Sequence, residues 1–130
     1  MKETLIIIAI IVIILGGDFF IKKHLSKTTG ELVGNLKELR EKTIALKQNE
    51  DTSELKEEMK DVESKWKKIS NIWSIIIMHQ EIDNIEQALI RAKSNIEEGE
   101  LEDALPEIET AIFFAEHINE QEQLKLKNIF

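Results

Sequence analysis

The sequence has 130 residues, of which 32% are charged, contains no cysteine and carries a formal net charge of −8. That length leaves room for one small domain, and the missing thiols exclude disulfides, thiolate nucleophiles, Cys-based metal sites and a lipidated Cys anchor. Residues 1–27 carry a net charge of +2, whereas residues 28–130 hold 13 Lys and Arg against 23 Asp and Glu, an excess that repels phosphate backbones and argues against nucleic acid as a partner.

The chain opens on an apolar run. Leu5 to Leu15 reads LIIIAIIVIIL; Gly16, Gly17 and Asp18 interrupt it, Phe19, Phe20 and Ile21 resume it, and Lys22 and Lys23 close it. Residues 4–21 would form a helix about 27 Å long, just enough for the hydrocarbon core of a bilayer. Thirteen Leu, Ile, Val and Phe lie in that span. Each contributes roughly −0.3 to −0.6 kcal/mol to insertion, against a cost of about 2.5–3.5 kcal/mol for an Asp at mid-membrane. Asp18 is near the end of the span and reaches the headgroups, so insertion wins. A cleaved signal peptide is one alternative, but no A-x-A-like site follows, and Leu15 stands where a small residue is wanted. A buried core helix is the other, yet this segment is apolar on every side and a bundle this small cannot surround it. The reading is a single-pass signal-anchor in residues 1–27, with the lipid bilayer as partner, and an acidic helical domain in residues 28–130. Lys22, Lys23 and Lys27 outnumber Lys2, which taken literally keeps the domain cytoplasmic. An early apolar run behind a lone Lys reads instead as an uncleaved export signal, and on that ground we expect the domain outside the cytoplasm.

The rest of the chain repeats apolar residues at alternating steps of three and four. Leu25, Thr29, Leu32, Leu36, Leu39, Thr43 and Leu46 form the first seam, a coiled-coil-like stripe on one helix face. Beside it Ser26, Gly30 and Gly34 make a small-residue ladder, a candidate interaction site. It either lets another helix approach closely or loosens the joint between anchor and domain. Gln48, Asn49 and Glu50 end this segment, and Asp51 with Glu54 reads as a capping-box start for the next.

The second seam is Leu55, Met59, Val62, Trp66, Ile69, Trp73 and Ile76. Trp66 and Trp73 share its face; a Trp pair can anchor a partner, but at seam positions we expect core. The second-to-third junction falls around residues 79–81, where His79, Glu81, Asp83 and Asn84 gather the polar chemistry. His79 and Asp83 are four apart and could begin a metal site, but a metal needs three or four ligands and no partner motif follows. A helix junction, capped by Asp83 or Asn84 with His79 on a backbone group, is the better reading. No catalytic grouping, metal or cofactor is expected.

The third seam is Ile82, Ile85, Leu89, Ala92 and Ile96, stopped by Gly99 as a C-terminal cap. The fourth segment carries two adjacent seams, one through Leu101, Leu105, Ile108, Ile112 and Ala115, the other through Ala104, Ile108, Ala111, Ala115 and Ile118, widened by Phe113 and Phe114. A stripe so broad predicts the most buried helix. Pro106 places the helix start near Glu102, with the proline in the first turn. His117 suits a last turn by the helix dipole, and residues 124–130 read as a short tail docked on the bundle. Residues 94–124 hold ten carboxylates and no Lys or Arg; without alternating oxygen ligands, residues 97–103 read as a solvated turn rather than a calcium loop.

The fold predicted is all-α: an N-terminal transmembrane helix followed by a small antiparallel bundle of about four helices. Trp66, the Trp73-Ser74 pair, the stretch from His79 through Glu81-Ile82-Asp83-Asn84-Ile85-Glu86, the Glu116-His117-Ile118 stretch and the closing Leu126-x-Asn128-Ile129 resemble a bacterial family, domain-of-unknown-function family 4363. By motif the resemblance covers residues 66–130, and by layout the whole chain. It implies architecture and no chemistry. Ala92, Gly99, Ala104 and Ala111 also fall at the small positions of a tetratricopeptide helix pair, but Ala88 and Asn95 stand where Trp and Tyr are wanted, and no second copy follows.

The expected function is non-enzymatic: an interaction or structural module at the membrane surface, contacting another membrane or membrane-surface protein or a second copy of itself. The alternatives are an accessory subunit of a transporter or channel and, less well supported, a metal-dependent enzyme or sensor built on His79, Glu81 and Asp83.

Overall fold

A computed structural model describes residues 1–46 and 50–129, with side chains for all of these except 123 and 125–129. Four helices follow in order: α1 (Lys2–Ala45), α2 (Ser53–Ile76), α3 (His79–Glu97) and α4 (Leu101–Ile129). The apolar segment and the first bundle helix are thus one helix, not two. It passes without a break through Gly30 and Gly34.

The seams become the core. Every member of the first three is buried except the last residue of the first two, Leu46 and Ile76, which are half-buried. Helices adjacent in sequence run antiparallel and pack side by side, and α4 closes the ring against α1, while the diagonal pairs stay apart. Ion pairs mark each contact: Arg40–Glu109 at 3.1 Å joins α1 to α4, Lys93–Glu63 at 3.0 Å joins α3 to α2, and Arg91–Glu107 at 2.9 Å joins α3 to α4. Lys42 meets Glu58 and, at 3.7 Å, Glu54 across the α1–α2 contact. The hydrogen bond it donates to Glu58 holds the Lys42 ammonium above its usual pKa, and the one donated to Glu109 does the same for the Arg40 guanidinium. Pairs this exposed fix register more than they stabilise.

Small side chains let α3 and α4 approach. Ala88 and Ala92 on α3, and Ala104, Ala111 and Ala115 on α4, are fully buried, which explains the alanines without a peptide-binding role. Gly99 has φ of +77°, and the bonds from Gly99 N–H to the Ile96 carbonyl and from Glu100 N–H to the Asn95 carbonyl complete a Schellman turn.

Several local expectations need correction. Asp51 is not a capping-box residue: α2 starts after Thr52, and the Asp51 carboxylate accepts bonds from Ser53 N–H at 3.0 Å and Ser53 Oγ at 2.6 Å. Those bonds hold its pKa below the usual carboxylate value. Gln48 and Asn49 lie outside the described residues. Pro106 sits in the second turn of α4, since the helix begins at Leu101. The buried stripe of α4 is narrower than predicted, following the alanine-rich second seam, with Phe113 61% exposed. Residues 119–129 continue α4 as helix rather than forming a tail, and Leu124 is exposed. His117 is therefore far from a last turn.

Candidate functional site

The up-and-down order sorts the molecule into two ends. The loops between α1 and α2 and between α3 and α4 lie far from the apolar segment. The α2–α3 turn and the end of α4 return towards it. The pairing Trp73–Thr28 fixes this register, because it ties the last turns of α2 to the point where α1 enters the bundle.

At that near end the two tryptophans are core, Trp66 at 3% and Trp73 at 0% exposure, with ring centroids 5.7 Å apart in an edge-to-face arrangement. Trp73 Nε1 donates to Thr28 Oγ1 at 3.0 Å, and the same hydroxyl donates to the His24 carbonyl at 2.9 Å. Trp66 Nε1, Thr29 Oγ1 and His24 Nε2 are buried with no hydrogen-bond partner among the described residues. His24 is stacked on Phe20.

The junction lies two residues earlier than predicted. α2 stops at Ile76, Ile77 and Met78 are extended, and α3 starts at His79 with Met78 in the N-cap position. Asp83 and Asn84 therefore cap nothing; they sit in the second turn of α3. His79 and Asp83 are exposed, whereas Glu81 and Asn84 line a groove of about 360 Å³ between α3 and α4, facing Phe114, His117 and Gln121. Glu81 Oε2 is buried there without a hydrogen-bond partner among the described residues, and the His117 ring stacks on Phe113 at 5.8 Å. No three His, Asp or Glu side chains gather as a metal-holding group among the described residues.

The other predicted site residues lie elsewhere. Ser26, Gly30 and Gly34 are exposed on the side of α1 away from the core, and a Cβ added at either glycine would meet open space. The far end is acidic: Glu50, Glu97, Glu98, Glu100, Glu102 and Asp103 surround a recess of about 720 Å³ with Lys56 its one cation among the described residues.

One feature was missed in the sequence. Between Lys68 and Glu81 there is no charged residue, and in that stretch Ile75 is 83% and Met78 62% exposed. The signal was the gap in a chain otherwise dense in charge.

These features define a class: an up-and-down helical bundle whose first helix projects as an apolar rod with none of the described residues packed on it. Only this helix, among the described residues, is long and apolar enough to cross a membrane, a test a signal sequence would also pass. The chain belongs to the family described as Domain of unknown function (DUF4363), whose model matches residues 19–129, all four helices but little of the apolar rod. No curated protein and no solved structure matches the chain.

Proposed function

We propose that this protein is a single-pass, membrane-tethered helical module that acts through contacts with another protein and not through catalysis. The observation that carries this reading is the continuity of α1. Over its first half the helix is apolar and unpacked; over its second half it forms one wall of the core. Anchor and bundle are thus mechanically one piece, as suits a device that holds a surface at a set place on a bilayer. The acidic far end favours a basic surface on the partner. Ser26, Gly30 and Gly34 offer a helix-sized face for a membrane protein or a second copy of this chain. The export-signal character of the N-terminus favours an extracytoplasmic bundle, which a compartment-specific reporter fused after Phe130 would reveal.

A second reading, an accessory subunit of a transporter or channel, is favoured by Gly16 and Gly17. Both lie inside the apolar rod with nothing within 4 Å of an added Cβ, and small residues let transmembrane helices approach closely.

Alkaline extraction of membranes from cells expressing the full chain tests the first point. The intact chain, verified by mass, should stay in the membrane pellet; recovery as a soluble protein, or with residues 1–21 removed, would overturn the anchor. Exchange of residues 4–21 for an unrelated span then separates the readings. A tether keeps its crosslinked partner after the exchange, whereas an accessory subunit loses it.

A further inference from the structure

We infer that the α2–α3 turn is a second membrane contact, inserting Ile75 and Met78 into the headgroup boundary beside the anchor. The inference rests on the anchor reading above and adds to it a face of the bundle itself.

The level of the turn follows from the helix register. Trp73 is bonded to Thr28 across antiparallel helices, so each residue beyond Trp73 matches one before Thr28. At about 1.5 Å per residue, Ile75 reaches the height of Ser26 and Ile76, the last residue of α2, that of Leu25; the extended pair Ile77 and Met78 follows directly. Lys22 and Lys23 close the apolar segment, the place where a span leaves the hydrocarbon and its lysines meet lipid phosphate. The turn therefore comes down to the bilayer surface on the same rigid body.

Its side chains fit that position. Ile77 turns inward, buried, with its N–H bonded to the Trp73 carbonyl at 2.7 Å. Its neighbours Ile75 and Met78 are left pointing out, and Ile72, one turn before Ile75, is exposed on the same side of α2. Single exposed apolar residues are ordinary, and Ile44 and Ile90 are two examples here, each with charged residues close by in sequence. The turn differs in carrying no charged residue from residue 69 to residue 80, although Met78 also lines the α3–α4 groove beside Glu81. Met78 also occupies an N-cap with no side-chain cap bond, where Ser, Thr, Asp or Asn would serve the helix better. Such a breach of local preference fits a residue held for another purpose.

The absence of cysteine permits a direct test on the full chain. Single cysteines at Ile75→Cys, Met78→Cys, Ile90→Cys and Ile11→Cys carry an environment-sensitive fluorophore. Each chain is reconstituted at one copy per nanodisc of phosphatidylcholine and phosphatidylglycerol, with and without spin-labelled lipid. Shallow quenchers should reduce emission at least twofold at residues 75 and 78 and leave residue 90 unchanged; deep quenchers should act at residue 11. Quenching at residue 11 but not at 75 and 78 overturns the second contact and leaves the anchor standing. Quenching at none of the four overturns both. A blue shift at residues 75 and 78 that develops only with two copies per disc, without lipid quenching, would give this face to a second copy of the chain and also refute the proposal. Unchanged far-UV circular dichroism for each labelled chain checks the fold.

Discussion

Thr28 and Thr29 are adjacent, buried and chemically identical, yet they do opposite things. Thr28 Oγ1 accepts a hydrogen bond from the Trp73 indole N–H and donates its own O–H to the His24 carbonyl. Thr29 Oγ1 is buried without a hydrogen-bond partner among the described residues. Replacing a buried acceptor by a methyl strands its donor at a cost of about 1–3 kcal/mol, whereas deleting an unpaired hydroxyl removes a desolvation penalty. Thr28→Val should therefore lower the stability of the bundle by about 1–3 kcal/mol, and Thr29→Val should leave it unchanged or raise it. Denaturant midpoints of the detergent-solubilised chain, followed by far-UV circular dichroism, provide the measurement; equal losses for both would refute the assignment. The sequence could not separate the two. Thr29 lies on the seam and was legible as core, whereas Thr28 lies off it, and its worth depends on an indole 45 residues away. The same limit applied to His79 and Asp83: a spacing of four places two groups on one helix face but says nothing of whether that face meets solvent.

At the scale of the element, periodicity carried most of the fold, because burying an apolar stripe is what stabilises each of these helices. The seams on α1, α2 and α3 were readable, though Thr28 and Val33 on α1 and Ala88 on α3 are buried beside them. Where two seams competed on α4, the alanine-rich one won, since small side chains let α3 come close and leave Phe113 outside. Boundaries were less legible. Asp51 serves Ser53 instead of a helix cap, and the extended pair Ile77 and Met78 replaces a polar cap at the α2–α3 turn. The glycines show how an element gives one residue type opposite roles. Gly99 adopts φ of +77° to reverse the chain, a conformation costing an L-residue roughly 1–2 kcal/mol. Gly30 and Gly34 sit in ordinary helix with open space around them, where alanine is favoured by about 0.5–1 kcal/mol. Gly99→Ala should thus destabilise the domain, and Gly30→Ala and Gly34→Ala should each stabilise it by about 0.5–1 kcal/mol in chemical denaturation. Should the two latter substitutions stabilise the isolated chain yet lose its crosslinked partner in membranes, the ladder is a contact surface. A fall in stability would mean that the glycines do not lie in helix.

For the whole molecule, one property governs how the rest is used: the apolar rod and the first wall of the bundle are the same helix. On the membrane-tether reading, a flexible joint would let the acidic far end wander over a wide volume and bring the α2–α3 turn to the bilayer only by chance. With α1 unbroken, the height and facing of both relative to the apolar rod are fixed. Helices bend sharply where a proline or a Gly/Ser pair interrupts the backbone ladder; α1 has no proline, and its adjacent glycines, Gly16 and Gly17, fall inside the apolar rod, away from the joint. Spin labels on Ile14→Cys and Ile44→Cys, both exposed positions, straddle the joint in an otherwise cysteine-free chain. Thirty residues of continuous helix separate them by about 45 Å along the axis. Pulsed electron resonance on the chain in nanodiscs should give one narrow distance distribution near that value. A broad distribution reaching to shorter distances would show that α1 breaks between the apolar rod and the bundle, and the fixed geometry that places the end of α2 at the level of Leu25 would fall with it.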